Sequence, residues 1–326
     1  MTALLSVREL RVWLDTALGP LSIVDGVSFE IEAGQVFGLA GESGSGKTIT
    51  ALALLGLLPP GARSGGSAIL DGRDLLAMGA GERRRLRGRE VAMIFQDPMS
   101  SLHPMLTVER QLTEHLRYQL GMNRREARRR AVDLLTEVRI PDPEAALRAY
   151  PHQFSGGMRQ RIQIAIGLAC EPRLLIADEP TTALDVTVQA GILRLLDRLC
   201  REKDLAVILI THDLGVLSAV ADTVTVMYAG RVAESGPTAQ LMGGARHPYT
   251  RGLIDSLPHP EASDRALVPI AGDPAGPEAR PGGCAFHPRC RFSEPACRTS
   301  VPPLIRVDDG REMACPVDPL VATLTR

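Results

Sequence analysis

No stretch of this chain approaches the roughly 18 uncharged apolar residues of a membrane-crossing helix. The opening Met1-Thr-Ala-Leu-Leu-Ser-Val-Arg-Glu-Leu10 meets charge before any run long enough for a secretory signal. Such a chain is expected to stay in the cytoplasm, and it cannot span a bilayer alone. Charge of one sign is lacking too: 37 Lys and Arg face 38 Asp and Glu, a formal net charge of -1, so no positive field is available to hold a polyanion at ordinary salt. Aromatic residues make up only 3% of the chain. The arginine-rich stretches 83–89 and 124–130 lack the interleaved rings that base stacking uses, and they read as solvated helix faces. Nucleic acid is set aside as a partner. No repeat of fixed period is found.

What is present suits a folded protein of more than one domain. The 326 residues are 44% hydrophobic and 23% charged, enough apolar material for a sizeable core. Residues 4–31 carry short apolar-polar alternations, clearest at Val27-Ser-Phe-Glu-Ile31, which predict a small antiparallel strand region. Gln35-Val-Phe-Gly-Leu-Ala40 is a brief apolar run that meets a glycine-rich loop, and residues 48–58 have helical composition until Pro59-Pro60. Helical spacing returns at 109–120 and 124–140, and suggests a helical insertion. Leu174-Leu-Ile-Ala177 and Ala206-Val-Ile-Leu-Ile210 are continuous apolar runs flanked by helical stretches, the mark of buried parallel strands in an α/β core. Beyond Gly236 the composition shifts to Pro and Gly, and a loop-rich tail of that length needs a staple to fold compactly.

The chemistry is concentrated in a few segments. Gly41-Glu-Ser-Gly-Ser-Gly-Lys47-Thr48 has the spacing of a phosphate-binding loop, and it sits after a buried strand and at the start of a helix. Gly41, Gly44 and Gly46 permit a tight turn whose amides point at phosphate oxygens, with Ser43 and Ser45 in the same turn. The helix N-terminus adds partial positive charge, Lys47 reaches the outer phosphates, and the Thr48 hydroxyl is suited to Mg²⁺. Asp178 and Glu179 close a buried strand: Asp178 suits Mg²⁺ through water. Glu179, pointing elsewhere by strand alternation, suits a general base that orients water toward the terminal phosphate.

Phe154-Ser155-Gly156-Gly157-Met158-Arg-Gln-Arg161, then Asp178-Glu179-Pro180-Thr-Thr-Ala-Leu184-Asp185, then Thr211-His212-Asp213, with Gln96 upstream, resemble the nucleotide-binding subunit of an ABC transporter over residues 4–257. The resemblance implies an α/β P-loop NTPase core of ABC type with an N-terminal antiparallel β layer. It places the ATPase domain at 1–236, a helical subdomain at about 98–170, and a loop-rich extension at 237–326. It implies ATP and Mg²⁺ as cofactors. Ser155, Gly156 and Gly157 would close over nucleotide held by a partner subunit's phosphate loop. Gln96 would sense Mg²⁺ and the membrane partner, His212 would contact the terminal phosphate and the attacking water, Asp185 would link the two sites, and Thr50 would line the nucleotide. Glu179, His212 and Lys47 are then the catalytic set, with Thr48, Gln96 and Asp178 around Mg²⁺. Met158 stands where the family has glutamine. Trp13 is the candidate adenine contact, against the alternative of a partly exposed structural tryptophan, with Leu14 competing for the aligned place.

Phe95-Gln96-Asp-Pro-Met-Ser-Ser-Leu102-His103-Pro104 and His247-Pro-Tyr-Thr-Arg-Gly-Leu253 resemble the dipeptide, oligopeptide and nickel importer branch. That branch implies a peripheral protein on the cytoplasmic side of the membrane, with a second and related ABC ATPase as heterodimer partner. Two permease subunits and an extracytoplasmic substrate-binding protein complete the set, and a nickel or other small-solute importer is the alternative. A soluble ABC-type ATPase would be expected to carry a coiled coil or a second cassette, and neither is seen. Of six cysteines, Cys170 and Cys200 are isolated; Cys284, Cys290, Cys297 and Cys315 crowd the tail without the short pairs common in zinc folds. Four thiolates suffice for an iron–sulfur cluster or zinc. The resemblance favours [4Fe–4S], with Zn²⁺ or unmetallated thiols as alternatives.

Overall fold

Residues 3–97, 101–182, 184–257, 268–308 and 310–317 are described by the computed structural model of the chain. Their strands, in chain order, are β1 Leu5–Thr16, β2 Gly19–Ile31, β3 Val36–Ala40, β4 Ala62–Leu70, β5 Arg73–Asp74 and β6 Val91–Ile94. The remaining strands are β7 Leu174–Asp178, β8 Ala206–Thr211, β9 Thr223–Tyr228, β10 Arg231–Pro237, β11 Ile305–Asp308 and β12 Arg311–Met313. The chain divides into two compact units. One comprises Met1–Ile31, Phe37–Ala77 and Thr211–Arg326; the other comprises Glu32–Val36 and Met78–Ile210.

In the first unit an antiparallel sheet runs β2-β1-β4-β5. The alternation in β1 is visible only in fragments because its phase slips. Leu5 and Val7 face inward, the register shifts between Val7 and Leu10, Glu9 adopts φ 49°, and Leu10 and Val12 then face inward. A bulge of this kind moves the apolar set by one residue and bends the strand, so a period of two cannot run through it. The other strands of this unit lie in the order β11-β12-β10-β9-β3. β3 is buried throughout and pairs in parallel with β9, Phe37 opposite Thr223 and Ala40 opposite Val226. β9 and β10 form a hairpin whose central residues, Ala229 (φ 46°) and Gly230 (φ 81°), are both left-handed, the turn that matches strand twist.

The helix after β3, Lys47–Leu55, stops at Gly56, before the Pro59-Pro60 pair that the composition pointed to. Gly56 adopts φ 61°, its N–H and that of Leu57 return to the carbonyls of Ala53 and Leu52, and the helix ends on this left-handed cap. The residues beyond 236 also carry more regular structure than their Pro and Gly content suggests: helices Thr238–Gly244 and Pro248–Asp255, short 3-10 turns, and the β11–β12 hairpin. β12 pairs with β10, Glu234 opposite Met313, so backbone pairing ties the tail to the sheet of its unit.

In the second unit β8, β7 and β6 run parallel, Leu174 opposite both Ala206 and Val91, and every residue of β7 and β8 is buried. The two continuous apolar runs are thus the core strands. Helices Val108–Leu120, Arg124–Glu137, Pro143–Arg148 and Gly156–Leu168 occupy the predicted helical region. Leu112, Leu116, Ala131, Leu134 and Leu135 form their buried stripe. The arginines of 124–130 lie on the outer faces, where Arg128 pairs with Glu109 and Glu144 and Arg130 with Glu171. Among the described residues no helix is long and apolar enough to cross a membrane.

Candidate functional site

The phosphate-type loop belongs to the first unit. β3 delivers the chain into Gly41, whose φ of 144° and surroundings admit no side chain: a Cβ there would lie 2.3 Å from the Met227 carbonyl oxygen. Gly46, at φ 101°, occupies the cap position of helix Lys47–Leu55 and turns the chain so that the first helical amides face the loop. The Lys47 side chain is buried, and its ammonium donates to the carbonyls of Gly41 (2.6 Å) and Glu42 (2.9 Å) and to Ser45 Oγ (3.3 Å). A buried lysine tolerates its charge only with such partners, and here they hold the ammonium over the loop. Ser43, Gly44 and Thr48 are exposed, whereas the Thr50 hydroxyl is buried and donates to Gly46 O at 3.0 Å.

Glu42 is gripped from the C-terminal extension. Its backbone N–H donates to the Tyr249 hydroxyl at 2.9 Å, and its carboxylate receives two hydrogen bonds from the Arg289 guanidinium at 2.6 and 2.9 Å. The hydrogen bonds to Glu42 raise the proton affinity of Arg289 further above its ordinary value. Sequence reading missed both partners. The single available signal was an acidic residue inside a loop that receives anions. Trp13 is half-buried, between Ser22 of β2 and Arg63 of β4, with its ring against Gly65. His212 is exposed just beyond β8, and Asp213 caps the helix Leu214–Ser218 through the amides of Gly215 and Val216.

The second unit carries the acidic and signature residues. Asp178 is the buried last residue of β7. Glu179 lies past the strand end with φ 46°, so a left-handed turn separates the two carboxylates, and strand alternation, the basis of the sequence expectation, does not apply. Glu179 Oε2 accepts from Gln96 Nε2 (3.0 Å) and from the Thr182 hydroxyl (2.9 Å). The fold therefore brings together two predicted residues 83 positions apart and adds a third, Thr182, that the sequence reading left unused. Gln163, also unpredicted, is buried and donates to the Phe95 carbonyl at 3.0 Å, which anchors the residue before Gln96.

Ser155 caps helix Gly156–Leu168, its Oγ accepting from Met158 N at 3.4 Å, and Ser155 and Gly156 are exposed at that helix start. Gly157 is fixed by packing: a Cβ would meet Val188 Cγ1 at 2.4 Å. Asp185 is exposed and caps helix Val186–Lys203 by accepting from Val188 N at 2.9 Å. Pro98, Met99 and Ser100 of the segment after Gln96, with Ala183 and Pro258, lie outside the described residues.

The four tail cysteines share one neighbourhood. Cys284 N–H donates to Cys297 O at 2.8 Å, and all are free thiols. Burial pushes the thiols of Cys284, Cys290 and Cys315 upward, Cys315 to about 12, and the neighbouring thiols add to each shift. Among the described residues no group of three or more His, Cys, Asp or Glu side chains stands where it could hold a metal ion. The expected tetrathiolate centre therefore finds no support in the geometry of the described residues.

Comparison with known proteins adds a second line. Residues 24–182 match the family profile described as ABC transporter, and residues 233–297 match the one described as oligopeptide/dipeptide transporter, C-terminal region. The chain is 46% identical over 321 residues to the oligopeptide transport ATP-binding protein OppD of Escherichia coli (strain K12), covering 98% of this chain and 95% of that protein. It is 45% identical to the dipeptide transport ATP-binding protein DppD of the same organism, covering 96% of each. To the oligopeptide transport ATP-binding protein AppD of Bacillus subtilis (strain 168) it is 45% identical, covering 97% of each. Among solved structures, cbiO1 from Clostridium perfringens, part of the ABC transporter complex cbiONQ, superposes with a TM-score of 0.65 at 26% identity, covering 74% of this chain and 92% of that one. The dimeric ATP-binding cassette MJ0796 in a post-hydrolysis state bound to ADP and Pi gives 0.64 at 24% identity, covering 72% and 98%, which bears on fold alone.

Proposed function

The chain belongs to the ABC transporter family, among its oligopeptide and dipeptide transport ATP-binding proteins, and from that membership we propose that it is the ATP-hydrolysing subunit of a peptide importer. The observation that carries the reading is similarity over nearly the full length, tail included, to proteins named for that transport. Supporting it is a loop that joins a buried lysine, left-handed glycines and a helix start, the arrangement suited to receiving an anion.

In this reading Lys47 and the amides of residues 41–48 bind and orient the phosphates, Thr50 supports the loop, and Trp13 lines the adenine. Thr48, Gln96 and Asp178 are the oxygen donors for Mg²⁺, which supplies neutralising charge at the terminal phosphates when bound. Glu179 is the general base. Hydrogen bonds from Gln96 and Thr182 fix its Oε2, and so orient the carboxylate that would take a proton from water. His212 contacts the terminal phosphate. Ser155, Gly156 and Gly157 serve the nucleotide of a partner ATPase, a related chain, and Asp185 conveys the state of one site to the other. ATP, bound more tightly by the closed pair than by the open one, supplies the differential affinity that drives the cycle. Two permeases and an extracytoplasmic binding protein complete the machine, with this subunit peripheral on the cytoplasmic side. A [4Fe–4S] cluster on Cys284, Cys290, Cys297 and Cys315, with Zn²⁺ as the alternative, is the finer proposal for the tail. The presence of four cysteines in one loop-rich segment, with Cys284 N–H bonded to Cys297 O, motivates it, and iron and zinc analysis of anaerobically purified protein tests it.

Glu179→Gln is the discriminating variant. Nucleotide binding is expected to persist while turnover falls by about 10²–10⁴, the range for losing a general base. Turnover within threefold of the wild type removes Glu179 from the role. With the permeases in lipid vesicles, ATP turnover is expected to rise when binding protein loaded with di- or oligopeptide is supplied; stimulation by Ni²⁺-loaded protein alone would overturn the peptide reading.

A further inference from the structure

We propose that Arg289, in the C-terminal extension, is a positioning residue of the phosphate loop: it neutralises Glu42 and so lets the loop accept a polyanion. The inference rests on the nucleotide role of residues 41–48. Within Gly41–Thr48 the ionisable side chains are Glu42 and Lys47, one of each sign. A loop meant for a triphosphate thus carries no net positive charge of its own, and Glu42 sets an anion in the place where like charge costs most. The Arg289 guanidinium, 247 residues away in sequence, answers that charge with a two-pronged contact at 2.6 and 2.9 Å, the strongest geometry available to an Arg–carboxylate pair.

Three features separate this pair from a surface ion pair. The Arg289 side chain is only 5% exposed and Glu42 only 24%, so salt screens the contact weakly. The guanidinium is held independently of Glu42, since its Nε donates to the Ala271 carbonyl at 2.9 Å and its carbon lies 5.9 Å from the ring centres of both Tyr228 and Phe286. Those rings, with Tyr249, form a mutually packed aromatic cluster with centroids 4.7–5.2 Å apart. The same cluster presents the Tyr249 hydroxyl to the Glu42 backbone N–H. Glu42 is therefore fixed at both its main chain and its carboxylate by the extension, and its own carbonyl in turn receives Lys47 Nζ. The run of contacts goes from the tail, through Glu42, to the lysine that would meet the phosphates.

The test is MgATP and MgADP affinity of the full-length chain, measured by equilibrium titration beside steady-state KM and kcat. Arg289→Ala is expected to weaken both nucleotides by roughly tenfold or more, the scale of one uncompensated charge near a polyanion at intermediate dielectric. kcat at saturation should change less than about threefold, since nothing in the pair touches the reacting atoms. Arg289→Lys keeps the charge but not the two-pronged fit and should fall between. The decisive variant is the double change Glu42→Gln with Arg289→Ala: removing the negative charge should restore affinity to within about threefold of the wild type. A purely structural role for Arg289 predicts no such rescue. Unchanged affinity in Arg289→Ala overturns the inference, as does a folded double variant, judged by its nucleotide-free melting curve, that stays as weak as the single one. Should Arg289→Ala fail to fold, Arg289→Lys against the double variant carries the same comparison. A wild-type chain that binds neither nucleotide overturns the functional reading itself, whereas wild-type binding that is lost in Lys47→Ala leaves that reading standing and puts only Arg289 on trial.

Discussion

The phosphate loop and the four-cysteine tail lie in the same unit and pose the same problem: a short, loop-like segment must present several groups to one small target. They solve it differently. In residues 41–48 the presenting groups are mainly backbone amides, aimed by glycines and a helix start, so their direction is set by residues next to them in sequence. In the tail they are four side chains spread over Cys284 to Cys315, whose convergence depends on turns, a hairpin and the sheet beneath. The loop emerges with its lysine partnered three times, while two of the four thiols, Cys297 and Cys315, are buried and burial raises the Cys315 thiol. A pattern written into local backbone geometry carries directly from letters to coordinates. Where distant side chains must meet, the fold decides: Gln96 reaches Glu179 across 83 positions, whereas the cysteines form no metal-holding group among the described residues.

The sharpest way to break that contrast is at the loop. Gly41→Ala would set a Cβ 2.3 Å from a backbone oxygen at φ 144°; a loss of about 3 kcal/mol in stability is expected, and nucleotide binding should fall by about a hundredfold or more. Denaturation curves and MgADP titration check both. If alanine is tolerated, the loop is less locally determined than the comparison requires.

A comparable effect is expected from acid on the extension. Burial pushes the His247 imidazole down to about 4, while in the unfolded chain it titrates near 6.5. The unfolded state therefore takes up the proton first, so the stabilisation is complete above pH 6.5 and is lost as pH falls toward 4, by about 3 kcal/mol. Glu234, whose carboxyl is pushed up by burial, opposes part of that loss in the acid range. His247→Asn preserves an acceptor for the Tyr249 N–H and should flatten the pH dependence of melting between 6.5 and 4. An equal slope in the variant assigns the acid sensitivity elsewhere.

Smaller effects sharpen the comparison. Tyr249→Phe removes the acceptor for Glu42 N–H and is expected to cost about 1–2 kcal/mol in unfolding free energy, with a fewfold loss of nucleotide affinity. Cys315→Ser replaces a buried thiol that lies 3.2 Å from Val317 O, and for neutral thiols it should cost only about 1 kcal/mol in denaturant titration. A metal-held tail would instead lose far more, as the metal's binding energy is folding energy. Sensitivity of the wild type to a chelator would show the same thing.

Much of the fold was legible for reasons that are visible residue by residue. The runs at 174–177 and 206–210 read as buried parallel strands because both their faces are covered, and they are. The glycine–lysine spacing named the loop and its helix. Legibility failed where one residue changes phase or direction. Glu9 breaks the alternation of β1, Gly56 ends a helix ahead of its prolines, and Glu179 leaves the strand in a left-handed turn that no strand rule anticipates. It failed again at distance. The contact of Gln96 with Glu179, the anchoring of Phe95 by Gln163 and the grip of Arg289 on Glu42 join residues 83, 68 and 247 positions apart, and no local pattern records them.

That last separation gives the phosphate loop a birth date. At a synthesis rate of about 5–20 residues per second, roughly ten to fifty seconds pass between the emergence of Glu42 and that of Arg289. During that interval a nascent chain holds its glycine-rich turn with an unanswered carboxylate inside it. A chain paused on the ribosome short of residue 289 would therefore carry Glu42 without the guanidinium that answers it in the finished protein.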